Sequence, residues 1–141
     1  MIKNVMLGEE ITIRTANKVG ILAEVAIMLA NKGINIEAAL GYETGATATL
    51  MLVTSGNLVI LNELKKKKYK AVKETEVILV DIENHPGALK VVATEMKENK
   101  IDIKYIYVTP CTCPGSGSSR MVLQTSDNEK AMALLNKYAA P

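Results

Sequence analysis

The 141-residue sequence predicts an α+β chain of two tandem βαββαβ units, residues 1–73 and 74–141, each a four-stranded antiparallel sheet with two helices on one face. Three observations carry this prediction: an internal repeat, an alternating strand at the head of each copy, and a helically spaced apolar face behind it. The repeat appears when "ITIRTANKVGILAEVAIMLANKGINI" (Ile11–Ile36) is laid without a gap over "ILVDIENHPGALKVVATEMKENKIDI" (Ile78–Ile103). Identities fall at Ile11/Ile78, Asn17/Asn84, Gly20/Gly87, Leu22/Leu89, Val25/Val92, Ala26/Ala93, Ile34/Ile101 and Ile36/Ile103. These are strand aliphatics, turn residues and helix positions, the pattern of a duplicated supersecondary unit.

Each element follows in order. "EITIRT" and "EVILVDI" alternate as strands and run into the polar turns "ANKVG" and "ENHPG". Leu22, Val25, Ala26 and Leu29 then keep the spacing of one buried helix face, and Leu89, Val92, Ala93 and Met96 repeat it. Gly33 is placed to end the first helix in the left-handed conformation; its counterpart, Lys100, requires another means. Second strands are expected over about 34–42 and 101–108, third strands at "TATLMLV" and "RMVLQT". Second helices run from Leu58 to about Lys67 and from Asn128 or Glu129 to about Lys137. A fourth strand at about Tyr69–Lys73 closes the first copy, and a short one near Tyr138 the second. This order is the ferredoxin-like arrangement, which hosts many functions and by itself selects none.

Composition removes several classes of function. Seventeen basic residues against fifteen acidic leave a formal charge of +2, too small a surplus to drive nucleic-acid binding. Neither third strand carries the aromatics on which an RNA-binding sheet stacks bases, although Tyr105 and Tyr107 lie on a second strand. No stretch approaches the ~20 apolar residues that span a bilayer, and "MIKNVMLGEE" has no signal-peptide character, so a cytoplasmic protein without membrane attachment is expected. With 48% hydrophobic residues but no Phe or Trp, the core must be aliphatic.

The chemistry-bearing residues cluster in the first turn of each copy. His85, the one histidine, sits at the place of Lys18 and has no convergent nucleophile or titrating partner in the sequence, so no catalytic residues are assigned. Asn17 and Asn84 are placed to cap the following helix. Gly20 and Gly87 allow close backbone approach, and the helix N-terminus beside them offers free donors to an anion such as a carboxylate. "TPCTCPGSGSSR" (Thr109–Arg120) is an insertion of about five residues between second and third strands of the second copy. Cys111 and Cys113 fall short of a structural zinc site's four ligands, and the G-S-G of the same loop lacks the spacing of a phosphate loop. No metal and no cofactor is therefore expected.

The combination N-x-x-G-x-L after a first strand, followed by a helix and then G-I-N-I opening the second strand, resembles the ACT domain family over nearly the whole chain, as two tandem copies. The resemblance implies a regulatory module, not an enzyme, that binds a small amino acid where two such domains meet. It places the ligand at Asn17, Gly20 and Ile21 of the loop, with Asn35 of "GINI" contributed by the facing domain. In the second copy Asn84, Gly87 and Ala88 match, while Asp102 stands in place of the asparagine, so the two half-sites should differ in ligand or occupancy. A modest apolar effector, such as a branched-chain amino acid, would suit walls formed by Ile21 and Ile36. Ala23, Ile27 and Ala30 add a second apolar stripe to the first helix, which implies packing against the other copy or another subunit, and a homodimer. A metabolic enzyme is the implied partner. The alternative is a non-catalytic regulatory subunit of a biosynthetic enzyme without its own ligand, like the small subunit of acetolactate synthase.

Overall fold

The structure, a computed structural model, describes residues 2–67, 69–110 and 117–139. Its elements are β1 (Ile2–Ala16), α1 (Ile21–Asn31), β2 (Ile36–Thr44), β3 (Thr47–Thr54), α2 (Asn57–Lys65), β4 (Ala71–Glu83), α3 (Ala88–Glu98), β5 (Ile103–Pro110), β6 (Ser118–Thr125) and α4 (Asn128–Asn136). The chain is α+β, with six strands and four helices among the described residues. It divides into a continuous unit, Glu9–Thr75, and a composite unit made of Met1–Gly8 with Glu76–Pro141.

Met1–Gly8, placed in the first copy by the sequence division, is grouped with Glu76–Pro141 in the composite unit. The strand count differs for the same reason. β1 and β4 are 15 and 13 residues long, well beyond the ~5–6 of a common strand. Each serves one unit with its first part and the other with its second. The fourth strand expected near Tyr138 is only a bridge from Ala139 to Ile2, and Ile2–Gly8 of β1, a neighbour of β4, fills that place.

In the continuous unit β3 lies between β2 and β1, and Ile11 and Ile13 face Leu52 and Leu50 across the antiparallel pair. These four pack with Val25 and Leu29 of α1 and Ile60 and Leu64 of α2, an aliphatic core as the composition requires. In the composite unit β6 lies between β5 and β4, with Ile78 opposite Leu123 and Val80 opposite Met121. Ile2 and Val5 join Val92, Met96 and Leu135 beneath that sheet.

The inner faces of α1 and α3 are shifted from the expected set. Ile21, Val25 and Leu29 are buried in α1, and Ala88, Val92 and Met96 in α3. Leu22 is 54% exposed, Leu89 48% exposed, and Ala93 is also exposed. The cause is the entry: a left-handed glycine turns the chain into each helix so that the residue directly after it points inward.

Gly33 has φ +69, with Gly33 N–H donating to Ala30 O at 3.0 Å and Ile34 N–H to Leu29 O at 3.0 Å, the expected left-handed stop. Lys100 does the same without the help of being glycine. Its φ is +56, and Ile101 N–H donates to Met96 O at 2.9 Å. The left-handed well costs a side-chain-bearing residue ~1–2 kcal/mol, partly offset by the lower unfolded-state entropy compared with glycine. Lys100→Gly should therefore stabilise the protein by about 0.5–1 kcal/mol, read as a higher urea midpoint at unchanged slope; a lower midpoint would refute the strain assigned to Lys100.

Candidate functional site: the strand-to-helix loops

Both loops are held by the same backbone bond. Asn17 N–H donates to Ala46 O at 2.8 Å, and Asn84 N–H to Gly117 O at 2.9 Å. Each loop ends on a glycine that is the N-cap of the next helix, Gly20 at φ +92 and Gly87 at φ +89. Among the described residues a Cβ on either would meet no atom within 4 Å beyond its chain neighbours and the adjoining helix backbone, so the positive φ, rather than close packing, calls for glycine here.

The asparagines do not cap these helices. Neither α1 nor α3 has a side-chain cap bond, and Asn17 instead donates from Nδ2 to Glu43 Oε2 at the end of β2. The physical reason is the glycine: with Gly20 and Gly87 at the N-cap, each asparagine lies three residues too early to reach the first helical N–H groups. The consequence is an open helix N-terminus. In α1 the first helical bond is Glu24 N–H to Gly20 O at 2.9 Å, leaving Ile21, Leu22 and Ala23 N–H ahead of it without a side-chain cap. In α3 the start is tighter, since Ala88 N–H donates to His85 O and Lys90 N–H to Gly87 O, both at 3.1 Å. The two loops thus differ in free donors as well as in sequence.

Ile21 and Ala88 are buried in the two cores, so they can offer a ligand only their backbone; the pocket wall expected from the Ile21 side chain is absent. The exposed apolar groups beside the first loop are Val19 and Leu22. Asn35 and Asp102 occupy equivalent, exposed places. Asn35 N–H donates to Ser55 Oγ at 2.9 Å and Ser55 N–H returns to Asn35 O at 3.0 Å. Asp102 and Ser126 repeat the exchange at 3.0 and 2.9 Å. Both side chains are left outside this clamp.

Charge near the first loop is organised around Glu24. Tyr69 donates to Glu24 Oε1 at 3.1 Å, and Lys18 Nζ lies 3.5 Å from Glu24 Oε2. The tyrosine bond, followed by the Lys18 charge, holds the Glu24 carboxyl below its usual range. Partial burial, then the same bond, pushes Tyr69 up to about 12. In the composite unit Tyr138 donates to Glu95 in a comparable tie, which raises the tyrosine.

A groove of about 450 Å³ lies beside the second loop, lined by His85, Pro86, Gly87, Lys90, Val91, Thr94, Glu95 and Tyr138. Of the sequence-assigned residues it gathers only Gly87; Asn84, Ala88 and Asp102 are not among its walls. His85, set aside as a turn residue, lines it, with Nε2 3.4 Å from Glu83 Oε2 and Nδ1 2.8 Å from Pro86 O. Lys90, Thr94 and Tyr138 were missed, although Lys90 and Thr94 at i, i+4 on one helix face were a legible signal. Ala23 and Ala30 are exposed and Ile27 is 60% exposed, so the second apolar stripe of α1 is open in this structure.

Cys111 and Cys113, with most of the predicted insertion, lie outside the described residues. Among the described residues there is no group of three or more His, Cys, Asp or Glu that could hold a metal ion. None of their helices is long and apolar enough to cross a membrane.

No protein-family model and no curated protein matches the chain. Solved structures do. A protein of Bacteroides thetaiotaomicron is similar with a TM-score of 0.82 and 26% identity, over 96% of this chain and 91% of that one. The regulatory subunit of aspartate kinase from Thermus thermophilus, in its ligand-free form, is similar with a TM-score of 0.66 and 13% identity, over 97% and 98% of the two chains. A structure of aspartokinase alpha and beta subunits aligns with a TM-score of 0.62 and 18% identity, over 97% of each. The chain therefore shares its fold with regulatory subunits of aspartate kinase.

Proposed function

We propose that the protein is a non-catalytic regulator of the ACT type that binds a small amino acid at its strand-to-helix loops and, as a homodimer, couples that binding to its assembly or to a partner enzyme. One observation carries the reading. In both units a glycine near φ +90 leaves a helix N-terminus without a side-chain cap, and an asparagine stands three residues before it. Such an end attracts a carboxylate through its free N–H groups and the helix dipole. Asn17, Gly20 and the Ile21 backbone would form the first half-site, with Asn35 supplied by a second copy of the chain. Asn84, Gly87, Ala88 and Asp102 would form the second half-site. Its tighter helix start and its Asp102 carboxylate favour a different occupancy, since an ionised aspartate attracts an ammonium and repels a carboxylate. The exposed stripe of Ala23, Ile27 and Ala30 is available to a second copy. Coupling between effector and assembly would amount to ~1–3 kcal/mol.

A thermal-unfolding screen with the twenty amino acids tests the proposal. At least one should raise the midpoint, by an amount that grows with the logarithm of its concentration. Asn17→Ala and Asn35→Ala should each weaken that ligand by about tenfold, the equivalent of one lost charge-assisted bond, and His85→Ala should leave it near the wild-type value. Equal loss at His85 would refute the site assignment. A second reading is a regulatory subunit of a biosynthetic enzyme that binds no ligand itself; it is favoured by the match in extent to the separate Thermus thermophilus subunit. No response to any amino acid would select it.

A further inference from the structure

A second, smaller cavity lies in the continuous unit, on the strands rather than the loops. It measures about 60 Å³ and is lined by Thr12 and Arg14 of β1 and Ala71 and Lys73 of β4. Two of these four residues are cations. Neither Arg14 nor Lys73 has a salt-bridge partner among the described residues. Thr12 is only 6% exposed, yet its hydroxyl has no hydrogen-bond partner among the described residues either. That hydroxyl oxygen is not itself closed off from solvent, and it opens on the cavity beside the two cations.

The internal repeat shows which chemistry suits a guanidinium at this place in the fold. Arg14 stands opposite Thr49 in the β1–β3 pair, and the corresponding positions of the composite unit are Asp81 and Arg120, opposite each other in the β4–β6 pair. There the guanidinium is satisfied within the chain: Arg120 Nε donates to Asp81 Oδ1 at 2.8 Å and the second nitrogen to Oδ2 at 3.1 Å. In the continuous unit the arginine has moved to the other strand, and a threonine stands across from it where an acid would be needed. Thr12 itself replaces the apolar Leu79 of the other copy. The continuous unit thus presents a guanidinium with no carboxylate opposite it, and sets a hydroxyl and an ammonium beside it around a cavity.

We propose that this cavity binds a small oxyanion, which takes on Arg14 the place that the Asp81 carboxylate takes on Arg120. Arg14 supplies the forked pair of donors, Lys73 a second positive charge, and Thr12 a hydroxyl donor. The volume admits an anionic group rather than a whole large metabolite, since a single water needs ~10–15 Å³ on this measure. The site is separate from the strand-to-helix loops and does not depend on their reading.

Isothermal titration and amide NMR of the full chain test it, with inorganic phosphate and acetate as probes at ionic strength held constant with sodium chloride. Phosphate should bind and shift the amide signals of Thr12, Arg14, Ala71 and Lys73. Arg14→Gln should weaken it by about tenfold or more, the loss expected for a charge-assisted pair, and Lys73→Gln by less. Acetate binding at the same amides would identify a general oxyanion site, and phosphate alone one that requires the higher charge; either result supports the proposal. No binding of either anion at millimolar concentration overturns it, as does equal affinity in folded Arg14→Gln. Shifts centred on residues 17–21 instead would overturn it and point to the loop.

Discussion

Replacing Ile2 by alanine is expected to destabilise the protein by about 2–4 kcal/mol, as large as any core truncation in the chain. The reason is position. Ile2 is 1% exposed and packs in one cluster with Ile78, Val80, Met121 and Leu135, so truncation removes apolar contact and leaves a cavity that a β-sheet collapses only in part. Leu7, on the same strand but 44% exposed, is the matched control: Leu7→Ala should change stability by no more than ~0.5 kcal/mol. Urea unfolding of the two variants decides the matter. If both lose the same small amount, Ile2–Gly8 does not form the fourth strand of the composite unit.

Asn57→Ala is expected to cost about 2–3 kcal/mol, from hydrogen bonding alone. Its Oδ1 accepts from Thr54 N–H at 3.1 Å and from the Thr54 hydroxyl, and its Nδ2 donates to Glu9 O at 2.7 Å. One side chain therefore joins the end of β3, the start of α2 and the middle of β1. Asn128 repeats the device in the composite unit, accepting from Thr125 N–H at 3.0 Å and from its hydroxyl at 2.8 Å, and donating to Glu76 O at 3.0 Å. Alanine leaves buried donors on Thr54 without partners, and the unmet groups dominate the loss. Asn57→Asp keeps the acceptor for Thr54 but turns a carboxylate oxygen toward Glu9 O, so it should lose less than alanine while still falling below the wild type. If the alanine variant unfolds at the wild-type urea concentration, the bridge contributes nothing.

This pair of bridges also marks a limit of the sequence reading. "TSGN" at Thr54–Asn57 and "TSDN" at Thr125–Asn128 stand in plain view, but the gapless alignment ended at Ile36 and Ile103. The insertion in the second copy then changes the offset, and the correspondence is lost unless that gap is opened. The anion-binding cavity was hidden for a different reason: it depends on β1 lying beside β4, which no local pattern reports.

The sequence by itself determined the local elements. The alternation of "TATLMLV", the spacing of Val25 and Leu29, and the end of α1 at Gly33 are short-range consequences of side-chain period and backbone freedom, and the structure has each of them. The aliphatic character of both cores follows equally directly from a chain without Phe or Trp. The tertiary structure alone decided which strand completes which unit. Ile2 and Val5 are buried three residues apart, out of step with a strand's two-residue period, so residues 2–8 do not read as a strand until a sheet edge receives them. It also decided which way each repeated residue points. Leu22 and Leu89 recur where a core position is expected but face outward, because the left-handed Gly20 and Gly87 rotate the helices as they begin. The same glycines, standing at the N-cap, leave both helix ends without a side-chain cap, and the proposed ligand site rests on that.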